Sequence, residues 1–234
     1  MIIPSDSARA IELVGMIRAG DVDALAGALA TDSTLAVTRV DDGIAVRSTL
    51  HLATDWPGRR PNVSTMISML VDAGCDPNVR CEGPHRETPL HWAASNDDVE
   101  AIDALVAAGA DIEADGAVIG GLTPIADAAA FGMWAAARRL LDHGAAVNIW
   151  QAAALGMVDA CAAALPGETP ESITNAFWSA CHGGQIATAQ LLFDHGADPT
   201  WVGHDGLTPR NAAERDGHDA LVSWLDTVLS DRSS

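Results

Sequence analysis

Few side chains in this sequence are spaced for catalysis, and the clearest nucleophile and base stand next to each other. Cys181 and His182 are adjacent, so on a helix their side chains diverge by about 100° and cannot act as a pair. Asp127 is the acid that remains as a partner for His182 in general acid–base chemistry. The sequence contains no nucleophile elbow, no phosphate loop and no HExxH motif. Asp127 and His182 are therefore the only catalytic candidates, and an enzymatic activity is not favoured.

Metal and cofactor sites are not indicated by the sequence either. The four cysteines, at positions 75, 81, 161 and 181, form no CxxC pair and no Cys/His cluster with zinc-finger spacing. We interpret them as free thiols in a reducing compartment. The segment GAVIGG at 116–121 has three glycines but no lysine. This pattern favours a turn with left-handed glycines over a phosphate-binding loop. We predict no cofactor and no metal.

The charge of the chain limits its partners. There are 13 basic residues, all of them arginine, against 32 acidic residues, which gives a net charge of −19. Such a chain repels nucleic acids and anionic membranes, whereas a basic protein partner is compatible with it. The N-terminus does not resemble a signal peptide, and no apolar run reaches the roughly 18 residues of a membrane span. We expect a cytoplasmic protein, and the alanine-rich, lysine-free composition is typical of a high-GC bacterial source.

Two phrases recur in the same order along the chain. The first resembles TPLHWAAS and occurs at 47–55, 87–95, 121–129 and 206–214. The second contains a glycine after an apolar stripe and occurs at 70–78, 105–113, 140–148 and 191–199. Gly74, Gly109 and Gly144 are 35 residues apart. This pair of phrases resembles the ankyrin repeat, whose period is about 33 residues.

The local chemistry of the best copy, residues 88–113, favours two consecutive helices. Thr88 can cap a helix, and Pro89 suits the first helical position because its missing N–H costs nothing there. Gly109 follows the second apolar stripe and is typical of a left-handed helix end. The resemblance implies an all-α ankyrin-repeat solenoid of about six to seven helix–turn–helix units with short hairpin loops. We expect no long-range strand pairing.

We predict a single domain over residues 1–234. Its predicted parts are an N-terminal cap near 7–30, repeats at 47–79, 87–113, 121–148, 149–165 and 174–198, and a C-terminal cap at 207–229. The repeat at 47–79 carries an insertion, WPGRRPNVS, at 56–64. The repeat at 149–165 follows its predecessor without the usual hairpin, which would open one wall of a groove beside Asp127.

The resemblance also implies which positions are structural and which face a concave groove. His51 and His91 are expected to be structural, bonding to the backbone of neighbouring hairpins. The next position in each unit faces the groove, which places Leu52, Trp92, Asp127, Gln151, Trp178 and Ala212 there. Asp55, Trp56, Asn96 and His182 lie further along the same helices, and Trp201, His204 and Asp205 lie near the rim.

The function implied by the resemblance is a protein-binding scaffold that uses its concave groove and hairpin tips. The expected binding residues are Trp92, Asp127, Gln151, Trp178, Asp55, Trp56, Asn96 and His182, and the expected partner is a protein or peptide, with a basic one favoured. One alternative is a small-molecule binding protein or unusual enzyme with a pocket between Trp92 and Trp178 around Asp127. Another is a repeat protein without a pocket, whose tryptophans fill gaps between uneven repeats.

Overall fold

A computed structural model describes residues 1–203 and 205–232 of the chain. These residues form two compact units, one from Met1 to Ala145 and one that begins at Ala146. Both units are built mainly of short helices that follow one another in pairs.

The first unit, all of whose residues are described, contains eight helices in four consecutive pairs. They are α1 (Ala8–Ala19) and α2 (Val22–Thr31), α3 (Thr49–Thr54) and α4 (Val63–Asp72), α5 (Pro89–Ser95) and α6 (Val99–Ala107), and α7 (Pro124–Ala130) and α8 (Trp134–Asp142). The first helices of the pairs pack on each other in chain order, and so do the second helices. This two-layer stacking, with apolar side chains buried between repeats, confirms the predicted helical repeat architecture.

The starts and ends of these helices follow from local sequence. Thr88 is the N-cap of α5, and Pro89 occupies the first turn. Thr123 and Pro124 play the same parts in α7. Gly109, just after α6, has a φ of 91°, a conformation that a residue with a Cβ adopts only at a cost. The sequence therefore predicted these boundaries for a physical reason.

A small three-stranded sheet lies at the N-terminal end of the first unit. Strand β1 (Ile2–Pro4) pairs in parallel with β2 (Arg39–Asp41), and β2 pairs antiparallel with β3 (Val46–Ser48). The expectation of no long-range strand pairing is therefore wrong for this region. Three-residue strands are too short to show a periodic pattern, although Ile3 and Val40 are buried as strand residues should be.

The second unit contains six described helices, again in pairs. They are α9 (Ile149–Ala154) and α10 (Val158–Ala164), α11 (Pro170–His182) and α12 (Ile186–Asp194), and α13 (Pro209–Arg215) and α14 (Asp219–Arg232). Helix α11 packs against both α9 and α13. It begins one turn before the repeat phrase at Thr174, because Thr169 caps it by accepting a 3.2 Å hydrogen bond from the Ser172 N–H. Phe177, Phe193 and Trp224 form an aromatic cluster in this core.

None of the helices in the described part of the chain is long and apolar enough to cross a membrane. The longest, α14, has 14 residues, whereas a span needs about 20.

Candidate functional site

The two predicted structural histidines connect each repeat to the next hairpin. His91 Nδ1 accepts from the Thr88 N–H (3.1 Å), and its Nε2 donates to the Leu122 carbonyl (3.2 Å). His51 makes equivalent bonds to the Ser48 N–H (3.4 Å) and the Glu87 carbonyl (3.1 Å). Both rings are fully buried, and burial lowers the pKa of His51 to about 3 and that of His91 to about 4. The histidines are neutral structural groups, as expected.

Gln151 accepts a hydrogen bond from the backbone N–H of its N-cap residue in the second unit, as His51 and His91 do in the first. Its Oε1 accepts from the Asn148 N–H (2.9 Å), while Asn148 Oδ1 accepts from the Gln151 N–H (3.2 Å). This reciprocal capping box forms because Gln151 stands three residues after the N-cap Asn148, as His91 stands three residues after Thr88. The Gln151 side chain is therefore already used by the fold, which corrects its predicted place in the groove.

Trp178 is an interior residue of the second unit, which corrects the expectation of an exposed indole. Only 7% of it is exposed, and its Nε1 donates to the Leu207 carbonyl (2.8 Å). The ring lies so close to Gly203 that a Cβ there would come within 2.5 Å of it. Trp178 thus fills a gap between a helix and the following loop.

His182 has an acidic partner within its own unit. Its Nδ1 is 2.7 Å from Asp216 Oδ2, and Arg215 bonds to the same carboxyl group (Nη2 to Oδ2, 3.0 Å). Burial opposes ionisation of Asp216, but the hydrogen bonds from Arg215 and His182 lower its pKa on balance. Asp205, at the predicted rim, bonds to Arg215 Nη1 (2.7 Å), and His204 lies outside the described residues.

No activated nucleophile accompanies this histidine. Cys181 is fully buried, and burial raises its pKa well above that of a free thiol. The four cysteines are free and buried, in agreement with the sequence interpretation. In the described residues, no group of three or more His, Cys, Asp or Glu side chains is arranged to hold a metal ion.

Trp56 is the most exposed aromatic side chain described, at 78% of its surface. It lies at the start of the 56–64 insertion, which is fixed to the next repeat: the Arg59 N–H donates to Asp98 Oδ2 (2.5 Å). Gly58 lies against Asn96, where an added Cβ would come within 2.8 Å. The insertion therefore presents a large apolar side chain on a loop held by backbone contacts.

Asp55 and Asn96 hold the neighbouring helix ends in place. Asn96 Nδ2 donates to the Thr54 carbonyl at the end of α3 (2.8 Å) and to the Trp92 carbonyl (2.9 Å). Asp55 Oδ1 accepts from the Trp56 N–H (2.9 Å), and its Oδ2 is 3.6 Å from the guanidinium groups of Arg18 and Arg47. These two predicted binding residues thus support the position of Trp56.

Asp127 lies beneath the loop that precedes α7. The carboxyl group is fully buried, and its Oδ1 accepts from the Ile119 N–H (3.2 Å). Oδ2 has no hydrogen-bond partner. Burial raises the pKa of Asp127 to about 6, and the nearby negative charge of Glu87 adds to this rise. Asp127 is the most perturbed carboxyl group described, which marks a candidate site.

Glu87 and Trp92 lie beside Asp127 in the first unit. Burial raises the pKa of Glu87, while a hydrogen bond from the Trp92 side chain lowers it. Trp92 is half-buried and packs edge-on against His51, with ring centroids 5.0 Å apart. Two carboxyl groups and one indole are therefore grouped at the N-terminal ends of α5 and α7.

The glycine-rich segment 116–121 forms the hairpin over this group. Its three glycines all have positive φ angles, of 111°, 62° and 70°, so the predicted left-handed turn is confirmed. The Ile119 N–H is bonded to Asp127, which argues against a phosphate loop. An open cleft of about 260 Å³ separates this hairpin from the preceding one and is lined by Pro84, His85, Arg86, Asp115, Gly116, Ala117 and Gly121.

Phe131 and Glu87 belong to this region but were not among the predicted binding residues. Phe131 caps the end of α7 and is 41% exposed. It follows Asp127 by four residues, the spacing that places two side chains on one helix face. That spacing places Phe131 on the groove-facing side of its helix from the sequence alone, whereas the approach of Glu87 to Asp127 depends on the packing of neighbouring repeats.

Comparison with known proteins supports the repeat architecture. Residues 50–151 match a family model described as ankyrin repeats (3 copies). The chain is 29% identical over 179 residues to the ankyrin repeat and KH domain-containing protein mask-1 of Caenorhabditis elegans, an alignment that covers 76% of this chain. It is 28% identical over 157 residues, or 60% of its length, to an ankyrin repeat and KH domain-containing protein of Caenorhabditis briggsae. Both alignments span only 6% of the relative's own length.

The matched repeats cover the helix pairs α3–α4, α5–α6 and α7–α8 of the first unit. Within them, His51 and His91 make the interrepeat bonds that the resemblance implied. These findings identify residues 50–151 as similar to ankyrin repeats in both sequence and structure.

Proposed function

We propose that this chain binds another protein through one surface of its first unit. We call this surface the inner face and define it by Trp56, Trp92, Asn96 and Phe131. It runs along α5 and α7, and Trp56 extends it beyond the end of α3. Ankyrin repeats are in general protein-interaction modules, which supports a scaffold function over a catalytic one.

The observation that carries the proposal is the exposure of Trp56. A tryptophan that exposes 78% of its surface on a loop fixed by the Arg59–Asp98 bond has little conformational freedom to lose when a partner covers it. Exposed, preorganised aromatic residues are the usual energetic centres of protein interfaces. Phe131, 41% exposed at the end of α7, supplies a second apolar contact on the same surface.

The partner that fits this surface is a basic segment of another protein. The whole chain carries a net charge of −19. The carboxylates next to Trp56 and Asn96, Asp55 and Asp97, are paired with arginines, so the argument for a basic partner rests on the net charge. Complementary charge accelerates association and favours basic over acidic partners. We also propose that the protein is cytoplasmic and bacterial, which the lysine-free composition and the free thiols support.

A peptide-display selection on the immobilised chain tests this function. Selected peptides should combine basic and apolar residues. Their affinity should fall by about tenfold or more in Trp56→Ala and severalfold in Phe131→Ala, since truncating an interface anchor costs about 1.4 kcal/mol or more.

Ile186→Ala is the matched control, because Ile186 is an exposed apolar residue on the second helix of another pair. Its removal should leave affinity unchanged. Peptides that bind Trp56→Ala as tightly as the unmodified chain would contradict the proposal.

A further inference from the structure

The tip of the 116–121 hairpin is attached to the helices below it through one side chain. Val118, Ile119, Gly120 and Gly121 bond mainly within their own turn, as in the Gly121 N–H to Ala117 carbonyl bond (3.1 Å). Among the described residues, the hydrogen bonds that leave this tip go to Asp127, from Ile119 and from the backbone of Val118. Glycines with positive φ angles stand on both sides of Val118 and Ile119, where the backbone can change conformation at a lower cost than at other residues.

The carboxyl group that holds the tip is only half satisfied. Oδ1 of Asp127 accepts from the loop, but Oδ2 is fully buried without a partner. A buried carboxylate oxygen without a hydrogen bond is costly, so its presence in a folded protein requires an explanation. Holding the loop requires an acceptor alone, which an uncharged asparagine could also supply, so the negative charge at this position calls for a separate explanation.

The neighbours of Asp127 define the chemistry that would complete it. Glu87 adds a second negative charge, and Trp92 adds an aromatic ring that interacts with Glu87. His85 is the nearby group of opposite sign that influences Asp127. Arg80, beside the hairpin, is bonded to Asp115 Oδ1 (2.7 Å), and Arg86 lines the cleft. Two carboxylates and an indole are the groups that bind a guanidinium or ammonium ion, through charge-assisted hydrogen bonds and cation–π contact.

We propose that residues 118–121 form a lid whose opening lets Asp127, Glu87 and Trp92 bind one arginine or lysine side chain of the protein partner. This inference rests on the proposed function and adds to it a single recognised residue. The cleft between the two hairpins, bordered by Gly116, Ala117 and Gly121, gives the side chain a route to the lid. A cationic head then satisfies Oδ2 of Asp127 and takes the place of the loop over the site.

The test uses N-acetyl-argininamide as the probe, with N-acetyl-citrullinamide as its uncharged analogue. The readout is the indole ¹H–¹⁵N signal of Trp92, assigned with Trp92→Phe. The arginine probe should shift this signal saturably, and the citrulline probe should bind about tenfold more weakly or less, because it lacks the charge. Asp127→Asn keeps an acceptor for Ile119 but removes the charge, so it should weaken arginine binding by about tenfold.

Asp142→Asn is the control, since Asp142 is an exposed carboxylate on the second helix of the same repeat. The affinity of this variant for the arginine probe should stay within about twofold of that of the unmodified chain. Protection of the Ile119 amide against hydrogen exchange in Asp127→Asn would show that the variant keeps its loop. Three results would each contradict the lid site. The Trp92 signal does not shift with the arginine probe, the citrulline probe binds as tightly as the arginine probe, or Asp127→Asn binds the arginine probe as tightly as the unmodified chain. If selected peptides still depend on Trp56 in that case, the proposed function stands without it.

Discussion

At the scale of single residues, burial raises the pKa of Asp127 and lowers the pKa values of His51 and His91. The two kinds of residue therefore change the stability of the fold in opposite directions as the pH rises. Asp127 has a folded pKa of about 6 against an ordinary value of 3.8, so the folded state holds its proton longer than the unfolded chain does. His91 has a folded pKa of about 4 against 6.5, so the folded state releases its proton sooner. Stability should therefore fall at both ends of this pH range, through different residues.

Replacing Asp127 by Asn should stabilise the protein above pH 6. The contribution of the Asp127 carboxyl group is full below about pH 4 and is lost as the pH rises through 6, a change of about 3 kcal/mol at most. Urea denaturation at pH 8 should show Asp127→Asn more stable by about 1–3 kcal/mol, and the gap should close near pH 4. Asp142→Asn should show neither effect. A gap that does not change with pH would contradict the assigned ionisation of Asp127.

Replacing His91 by Gln should flatten the acid side of the stability profile. The favourable contribution of neutral His91 is present above pH 6.5 and is lost as the pH falls toward 4, by up to about 3 kcal/mol. Glutamine is a suitable substitute because Gln151 already forms the same capping box in α9. We expect thermal melts of His91→Gln to change less between pH 7 and pH 4.5 than those of the unmodified chain. The exposed His195→Gln should follow the unmodified chain.

The sequence predicted the structural role of His51 and His91, but it did not predict that Trp178 is buried or that Gln151 caps a helix. His51 and His91 occur in a phrase that recurs along the chain, so the resemblance was sufficient to predict their bonds to the next hairpin. Trp178 donates to Leu207, 29 residues away, and a loop glycine makes room for its ring. The capping role of Gln151 depends on its distance of three residues from the N-cap Asn148. The contacts of Trp178 are not visible from residue types alone, whereas the spacing of Asn148 and Gln151 could have identified the capping box.

At the scale of elements, close packing between first helices limits which side chains fit at their ends. Gly183 ends α11, and an added Cβ would lie 2.1 Å from the Ala154 carbonyl oxygen of α9. Its φ of −79° is accessible to alanine, so the obstacle is the contact and not the backbone conformation. The two helices must separate if this position acquires a methyl group.

Gly183→Ala should destabilise the second unit by about 1–3 kcal/mol, the usual cost of overpacking. Gly167→Ala is the matched control, since no atom lies within 4 Å of a Cβ at that position. Its urea midpoint should stay within the narrow range of surface substitutions. Equal midpoints for the two variants would show that α9 and α11 are not as close as described.

Among the elements, the helices were easier to predict than the strands or the hairpin tip. Proline and threonine at helix starts and glycine at helix ends act within one turn, which explains why α5, α6 and α7 were expected. The strands β1 and β2 are three residues each and come from distant parts of the chain. The fold of the 118–121 tip onto Asp127 likewise requires contacts between a loop and a helix face, which no local pattern reports.

At the scale of the whole molecule, net charge should govern how fast a basic partner arrives. The chain has 32 acidic and 13 basic residues, and this excess of acidic residues produces a negative electrostatic potential. Salt screens this potential, with a Debye length of about 10 Å at 0.1 M. The association rate of a selected arginine-containing peptide should fall by about tenfold between low and high salt, while its dissociation rate changes less. Stopped-flow tryptophan fluorescence measures both rates. A citrulline-substituted peptide should show little salt dependence, and an arginine peptide indifferent to salt would contradict electrostatic attraction.

The proposed protein-binding function is tested most directly by the indole ¹H–¹⁵N spectrum of the chain during titration with a selected basic peptide. The seven tryptophans provide internal controls, because Trp178 and Trp224 pack within the second unit. We predict that the signals of Trp56 and Trp92 shift together and saturate at the same peptide concentration, while those of Trp178 and Trp224 stay in place. Shifts confined to Trp178 and Trp224, with Trp56 unchanged by a bound peptide, would contradict binding at the inner face.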